Sequence, residues 1–457
     1  MKLSILGGGG SRAIILTKSL LQKAPVLGIT EIVFMDNNEE GLRIFGGMAR
    51  KAASIIDPEV KVTCTSDPAE AIEGSDYVIT TIRVGGDAGR VQNERIALKY
   101  GVLGQETTGA GGFAMAMKTI PVLKEYCEMI RKYAKNDVMV FNFSNPSGLV
   151  TQAMRDLGYD FVYGVCDAPS GFLHQVARMR QKPSESFGMD VFGLNHLSYF
   201  TSIRENGSDI TNELLYDLRL YADTDMRYFE PELPQKWGML FNEYLYYFYY
   251  REKAVRNILE SGKTRGESIL EINRSMFREL KTLDPENDKD FGKMLDIYAK
   301  YNHQREISYM ATESAVKRNE SAAPKFDLYS LEEGGYAGIA LAFIQAKLTG
   351  RASEMVLSVP NKGTVDWLED DDVVETTCII GPKGAETKKD MKELPQSAKV
   401  LIQTMKQYER LAARGILEND ADVATEALMV HPLVNSYSLA KGLVSDFWNM
   451  TDNGDWR

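Results

Sequence analysis

Paired cysteines are missing from this chain: Cys64, Cys127, Cys166 and Cys378 are its only four in 457 residues, and no CxxC spacing links them. The pattern argues against a disulfide framework and suits a reducing compartment. Long apolar runs are missing too. None approaches the ~20 residues needed to cross a bilayer, and the opening Met1-Lys2-Leu3-Ser4-Ile5-Leu6 has neither the apolar length nor the cleavage site of a secretory signal. A cytoplasmic location with no membrane partner is expected. Positive charge is also in short supply, since 53 Lys and Arg against 64 Asp and Glu leave a net charge of -11. Phosphate backbones are bound by surfaces rich in Lys and Arg, so no nucleic-acid partner is expected. A local pocket for a small anion is untouched by that argument.

What remains is an ordinary globular composition, 44% hydrophobic and 26% charged, in a chain too long for one core. Short β-rich runs at Leu3–Leu6, Glu31–Met35, Tyr77–Ile82, Val138–Phe143 and Phe161–Val165 alternate with helix-like stretches. That alternation predicts an α/β fold, with a parallel sheet flanked by helices in a Rossmann-like N-terminal domain over residues 1–195. Beyond residue 196 helical stretches dominate, at Tyr244–Glu260, Glu267–Leu280, Ser397–Ala413 and Ala421–Met429. Residues 196–457 are expected to form a mainly helical α+β domain for substrate and oligomerisation. The acidic stretch Leu368–Glu375 is expected to be a solvated loop.

Gly7-Gly8-Gly9-Gly10-Ser11 follows the first strand and opens a helix whose apolar positions Ala13, Leu16, Leu20 and Leu21 share one face. Strand, glycine turn and helix in this order let backbone N–H groups approach a pyrophosphate at the positive helix end. Asp36 ends the next strand, where a carboxylate commonly holds ribose hydroxyls and selects NAD. Arg12 takes the place of the third glycine of the usual fingerprint. The competing reading is a turn that only lets strand and helix pack closely.

Cys166-Asp167 follows the run Phe161–Val165, at the carboxyl end of a strand, and His196 lies downstream in Gly193-Leu194-Asn195-His196-Leu197-Ser198. Thiolate plus imidazole would hold a catalytic metal while leaving positions open to substrate. By local sequence alone, a buried structural Cys and His are the commoner case. Asp167 is a general acid if burial raises its pKa, or an ordinary hydrogen-bonding group. In the run Tyr244–Tyr250 most rings should fill core, and a cation beside one of them would make it a base.

Together these pieces resemble glycoside hydrolase family 4, whose members are NAD- and manganese-dependent glycosidases, many of them 6-phospho-β-glucosidases. The resemblance runs through Arg83-Val84-Gly85-Gly86, the stretch LKYGVLGQETTGAGG at Leu98–Gly112, Asn142-Phe143-Ser144-Asn145-Pro146-Ser147-Gly148, Gly164-Val165-Cys166-Asp167 and Gly193–Ser198. It continues into Tyr244-Leu245, Thr264-Arg265, Tyr408-Glu409-Arg410 and His431-Pro432. It implies Cys166 and His196 as ligands of Mn2+ or another divalent metal, Asp167 as leaving-group acid and Tyr244 as the base at C2. Arg83, Asn145, Asn195 and Arg265 are implied as substrate contacts, and Glu106 as a neighbour of cofactor or substrate. The implied reaction oxidises the sugar transiently at C3 with NAD, removes the C2 proton and eliminates the group at C1. A phosphorylated sugar substrate, a lactate/malate dehydrogenase-like first domain and a homodimer or homotetramer are implied as well.

The chain departs from the pattern at three places. Asp167 stands where many 6-phospho-β-glucosidases carry Asn, Ala13-Ile14 replaces a common Thr-Pro, and Tyr246 stands where relatives often have Arg. The last change would remove a cation from the substrate and admit an unphosphorylated glycoside or uronide. Elimination after C2 deprotonation also admits an α-glycosidase. A lactate/malate-type dehydrogenase and a non-catalytic NAD sensor are the readings outside the family.

Overall fold

The β-rich runs form strands because each is dominated by apolar and β-branched residues, most of them buried between layers on the two faces of the sheet. In the computed structural model, which describes residues 1–318, 322–330 and 335–452, the first six strands are β1 (Lys2–Leu6), β2 (Glu31–Met35), β3 (Lys61–Thr65), β4 (Tyr77–Thr80), β5 (Met139–Asn142) and β6 (Val162–Gly164). They lie parallel in the order β3-β2-β1-β4-β5-β6. Leu3, Ile5, Phe34, Ile79 and Phe141 enter one core, and Leu6, Val33, Met35, Val78 and Val140 enter the other. Strand alternation thus feeds two cores from one sheet. The chain reverses direction across the sheet at β1 and β4, which opens a crevice at their carboxyl ends.

The sheet continues past β6. Added to it are β7 (Phe187–Leu194), β8 (Leu197–Glu205), β9 (Ser208–Asp209), β10 (Leu240–Phe241), β11 (Ser353–Pro360), β12 (Val373–Gly381) and β13 (Gly384–Thr387). The path β6-β11-β12-β7-β8-β10 is antiparallel throughout, with Ser358 paired to Gly164 at the junction. A mixed sheet of 13 strands therefore links the early and late halves of the chain.

Helices occur close to where periodicity predicts them, at Arg265–Leu280, Gln396–Leu417 and Ala421–Val430. The first is closed by a capping box in which Thr264 Oγ1 accepts from the Glu267 N–H and the Glu267 carboxylate accepts from the Thr264 N–H. Two expectations are corrected. The stretch Tyr244–Glu260 is not one helix but a 3-10 turn at Glu243–Leu245, a short helix at Tyr246–Tyr249 and a helix at Arg251–Ser261, interrupted at Tyr250, which has left helical backbone angles. The acidic stretch Leu368–Glu375 is a loop only in its first part: Val373, Val374 and Glu375 begin β12 and are buried, because Ser198 and Asn195 hydrogen-bond the Glu375 carboxylate. No helix among the described residues is long and apolar enough to cross a membrane.

Candidate active site

At the carboxyl ends of β1, β4, β5 and β6 lies a cleft of about 1320 Å³. Single-ligand pockets run to roughly 1,000 Å³, so this one has room for a dinucleotide and a second small molecule. Its wall contains Gly7, Gly9, Gly10, Ser11, Asp36, Arg83, Glu106, Asn145, Cys166, Asp167, His196, Tyr244 and Arg265. Residues scattered over more than half the chain thus meet in one place.

The glycine turn is shaped first by packing. A Cβ on Gly7, whose φ is 97°, would lie 2.6 Å from the Thr81 carbonyl carbon, and one on Gly8 would lie 2.8 Å from Phe34. Gly7 and Gly8 both donate to the Met35 carbonyl, and Gly8 is buried behind the turn. Gly10 differs, since the nearest atom to its added Cβ is 3.7 Å away. Asp36 accepts from the Gly9 N–H at 2.8 Å and from the Asn38 N–H at 3.0 Å, so it braces the turn while facing the cleft. A bare backbone at the opening of helix Ala13–Leu27, with a carboxylate beside it, fits a dinucleotide.

Cys166 and Asp167 lie between β6 and helix Ala168–Arg180. His196 sits at the tip of the two-residue turn between β7 and β8, flanked by the pair Leu194 and Leu197, with φ of 62°. The turn carries the ring to within 3.4 Å of the thiol, measured from Nε2 to Sγ. The other ring nitrogen, Nδ1, is 2.8 Å from Thr107 Oγ1, which orients the imidazole so that Nε2 faces the thiol. Burial lowers the His196 pKa to about 4 and keeps the ring neutral. Burial, then Glu375 and Asp167, push the Cys166 thiol far upward, a tendency that a divalent cation reverses. One thiol and one neutral imidazole fit a first-row divalent ion with open coordination positions. Among the described residues no group of three or more His, Cys, Asp and Glu is arranged to enclose a metal.

Tyr244 lies flat against His196, ring centroids 3.8 Å apart and planes 3° from parallel. Burial raises its pKa well above the ordinary value, with Glu243 next in effect. Tyrosinate therefore requires a cation at the adjacent Cys166–His196 pair. Burial also pushes the Asp167 pKa up, against the downward pull of the Arg12 guanidinium.

Glu106 is held by two guanidiniums: Arg83 Nη1 bonds one carboxylate oxygen, and Arg90 Nη1 lies 2.9 Å from the other. The pair holds it far below the usual carboxylate range despite burial. Arg265 reaches the cleft wall, yet its guanidinium bonds the Ser308 carbonyl at 2.9 Å, Ser308 Oγ at 2.6 Å and the Arg305 carbonyl at 2.8 Å. Two expected positions lie elsewhere. Asn195 lines a smaller cavity behind His196, with its amide 2.9 Å from Glu375. Tyr246 is buried with its hydroxyl 3.2 Å from the Glu313 carbonyl and is not itself part of the cleft wall. Sequence reasoning did not single out Thr107, Arg90, Glu243, Arg305, Tyr309 or Glu313, all near or in the cleft. Only Thr107 carried a signal, as part of the GQETTG stretch.

Two sequence models of one family account for nearly the whole chain: the Family 4 glycosyl hydrolase matches residues 2–182 and its C-terminal domain matches residues 191–434. The chain belongs to glycosyl hydrolase family 4. Within the family it is 28% identical to the 6-phospho-beta-glucosidase BglT of Thermotoga maritima over 98% of this chain and 97% of that one. The structure of the Thermotoga maritima enzyme with manganese, NAD+ and glucose-6-phosphate superposes with a TM-score of 0.82 at 27% identity, covering 99% of this chain and 98% of that one. A 6-phospho-alpha-glucosidase from gut microorganisms, in complex with NAD and glucose-6-phosphate, gives a TM-score of 0.81 at 25% identity, covering 100% and 98%. Malate dehydrogenase from Salinibacter ruber, with a TM-score of 0.50 and 12% identity over 93% of this chain and 99% of that one, is similar in fold alone.

Proposed function

We propose that this family 4 chain hydrolyses a 6-phospho-glycoside, in the first instance a 6-phospho-β-glucoside, with NAD and a divalent metal, manganese by preference. One observation carries the reading: the Cys166–His196 pair, 3.4 Å between Sγ and Nε2, has Asp167 beside it and Tyr244 stacked on it, in the same cleft as the glycine turn. The family membership and the relatives' bound NAD, manganese and glucose-6-phosphate support it. The line between 6-phospho-α and 6-phospho-β substrates is drawn for β on the T. maritima relative.

When bound at the glycine turn and at Cys166 with His196, NAD would take and return hydride at C3 and the metal would polarise the oxygens at C2 and C3. Tyr244 removes the proton from C2, which the neighbouring ketone has made acidic. Asp167, whose proton burial makes harder to lose, gives it to the oxygen leaving C1. The carboxylate so formed takes a proton from the water that adds at C1, and Tyr244 returns the C2 proton. Arg83, fixed by Glu106, and Asn145 line the same cleft and serve as sugar contacts in this reading. Residues 1–195 supply the glycine turn, Cys166 and Asp167, whereas residues 196–457 supply His196, Tyr244 and Arg265. The cytoplasm as location and a homodimer or homotetramer as assembly belong to the same proposal.

Sugar release from 4-nitrophenyl 6-phospho-β-glucoside, with sub-stoichiometric NAD and Mn2+, tests it. The expected result is many turnovers without accumulation of NADH, and deuterium at C2 of product formed in D2O. NADH rising in step with substrate loss would assign the chain to dehydrogenase chemistry instead. Parallel α-linked and unphosphorylated substrates decide the anomer and the phosphate.

A further inference from the structure

Among the described residues six arginines line the cleft: Arg12, Arg83, Arg90, Arg265, Arg305 and Arg318. Glu106 pairs with Arg83 and Arg90, Glu94 also pairs with Arg90, and Asp225 pairs with Arg318. Arg265 is turned onto carbonyls at the end of helix Asp288–Ile307. Arg305 stands on the last turn of that helix and is held differently. Its Nη1 reaches Ser11 Oγ at 3.1 Å and Asn273 Oδ1 at 3.3 Å, both uncharged, and no carboxylate among the described residues lies within ion-pairing distance. Asp87, whose charge acts on Arg305 without pairing to it, accepts from the Asn273 amide.

A half-buried guanidinium is costly when two of its charged neighbours share its sign and Asp87 offsets them only from beyond ion-pairing distance. After burial itself, Arg12 is the strongest influence lowering the Arg305 pKa, to about 10, with Arg83 acting the same way. The arrangement gains stability once an anion enters the cleft. Ser11 and Asn273 orient the planar fork, and Arg265 fixes the helix end that carries it. Such an aimed donor set suits a tetrahedral, doubly charged oxyanion, which a guanidinium grips with two parallel hydrogen bonds.

We infer that Arg305 is a phosphoryl-binding residue of the cleft, held ready by Ser11, Asn273 and Arg265. The inference rests on the reading that the cleft takes phosphorylated ligands, and it adds a residue on which that grip depends. Two sources supply the same chemistry, the phosphate on the sugar and the pyrophosphate of the dinucleotide.

Calorimetric titration of the full-length, metal-free protein with glucose 6-phosphate and separately with NAD distinguishes them. In R305Q one of the two affinities should fall about tenfold or more, and R305K, which keeps the charge but not the fork, should recover part of it. A loss confined to glucose 6-phosphate assigns the sugar phosphate, and one confined to NAD assigns the pyrophosphate. Unchanged affinity for both overturns the inference. Should the substitutions unfold the chain, the wild-type protein still decides: phenylglyoxal modification of Arg305, mapped by mass spectrometry, should be slowed by glucose 6-phosphate or NAD and not by glucose. Protection by neither phosphorylated ligand overturns it equally. Because binding is read without turnover, a protein that hydrolyses no glycoside yet binds through Arg305 would sink the proposed reaction and leave this inference standing.

Discussion

Cys166 and His196 are 30 positions apart, and a two-residue turn brings their donor atoms to 3.4 Å. Replacing Sγ by a hydroxyl oxygen keeps the size and removes the easily ionised thiol. Cys166→Ser should therefore leave the melting temperature nearly unchanged while raising the manganese concentration for half-maximal activity, about 10- to 100-fold by analogy with lost metal-site interactions. Wild-type activity that survives a chelator would refute the metal role outright. Tyr244→Phe keeps the ring stacked on His196 but removes the proposed base. Its kcat should drop about 10²- to 10⁴-fold with little change in KM, and deuterium incorporation at C2 should fall with it. If kcat fell while exchange at C2 continued at the wild-type rate, another group would be the base.

Between single residues and the whole sheet lie the elements that aim the site. The GQETTG stretch carries Thr107, which orients His196, and its next residue is tied to the helical part of the chain through His431. The His431 ring is fully buried, accepts the Leu433 N–H at Nδ1, hydrogen-bonds the Thr108 backbone and meets Tyr408 edge to face. Burial lowers its pKa to about 3. Between the ordinary histidine value of about 6.5 and that folded value, the unfolded chain binds the proton and the native one does not. Stability must therefore fall as pH drops through this window, by at most about 1.4 kcal/mol per pH unit for this one group. His431→Gln should be less stable at pH 7 yet lose less on acidification from pH 7 to 5. Urea denaturation at the two pH values measures this, and an unchanged difference between them would show that His431 carries no part of the acid sensitivity.

At the scale of the molecule, one sheet runs from β3 to β10 and passes from the early to the late half of the chain at the contact between β6 and β11. Both cores flank it and both draw side chains from each half. Calorimetry should therefore give a single unfolding transition, shifted upward by NAD. A dinucleotide at 100 times its dissociation constant adds about 2.7 kcal/mol to the stability of the whole. Two separated transitions, only one of them moved by NAD, would mean that the halves unfold independently.

Local patterning was sufficient for much of this: the apolar runs of β1, β2, β4, β5 and β6, the glycine turn with its helix, and the amphipathic helices near the carboxyl end are all readable from spacing, because strand and helix periods are properties of neighbouring residues. Most of the candidate site could be named only through the family resemblance, which runs along short strand-end and turn sequences; by local sequence alone Cys166 and His196 read as ordinary buried residues. Tertiary structure alone decided the rest. It buried Glu375 in an acidic stretch, broke the tyrosine run at Tyr250, and turned Asn195 and Tyr246 away from the cleft. It also brought Arg305 to Ser11 across 294 positions. Nothing in the residues around Arg305 marks it, since the absence of a carboxylate within ion-pairing distance among the described residues is a fact about what the fold places nearby.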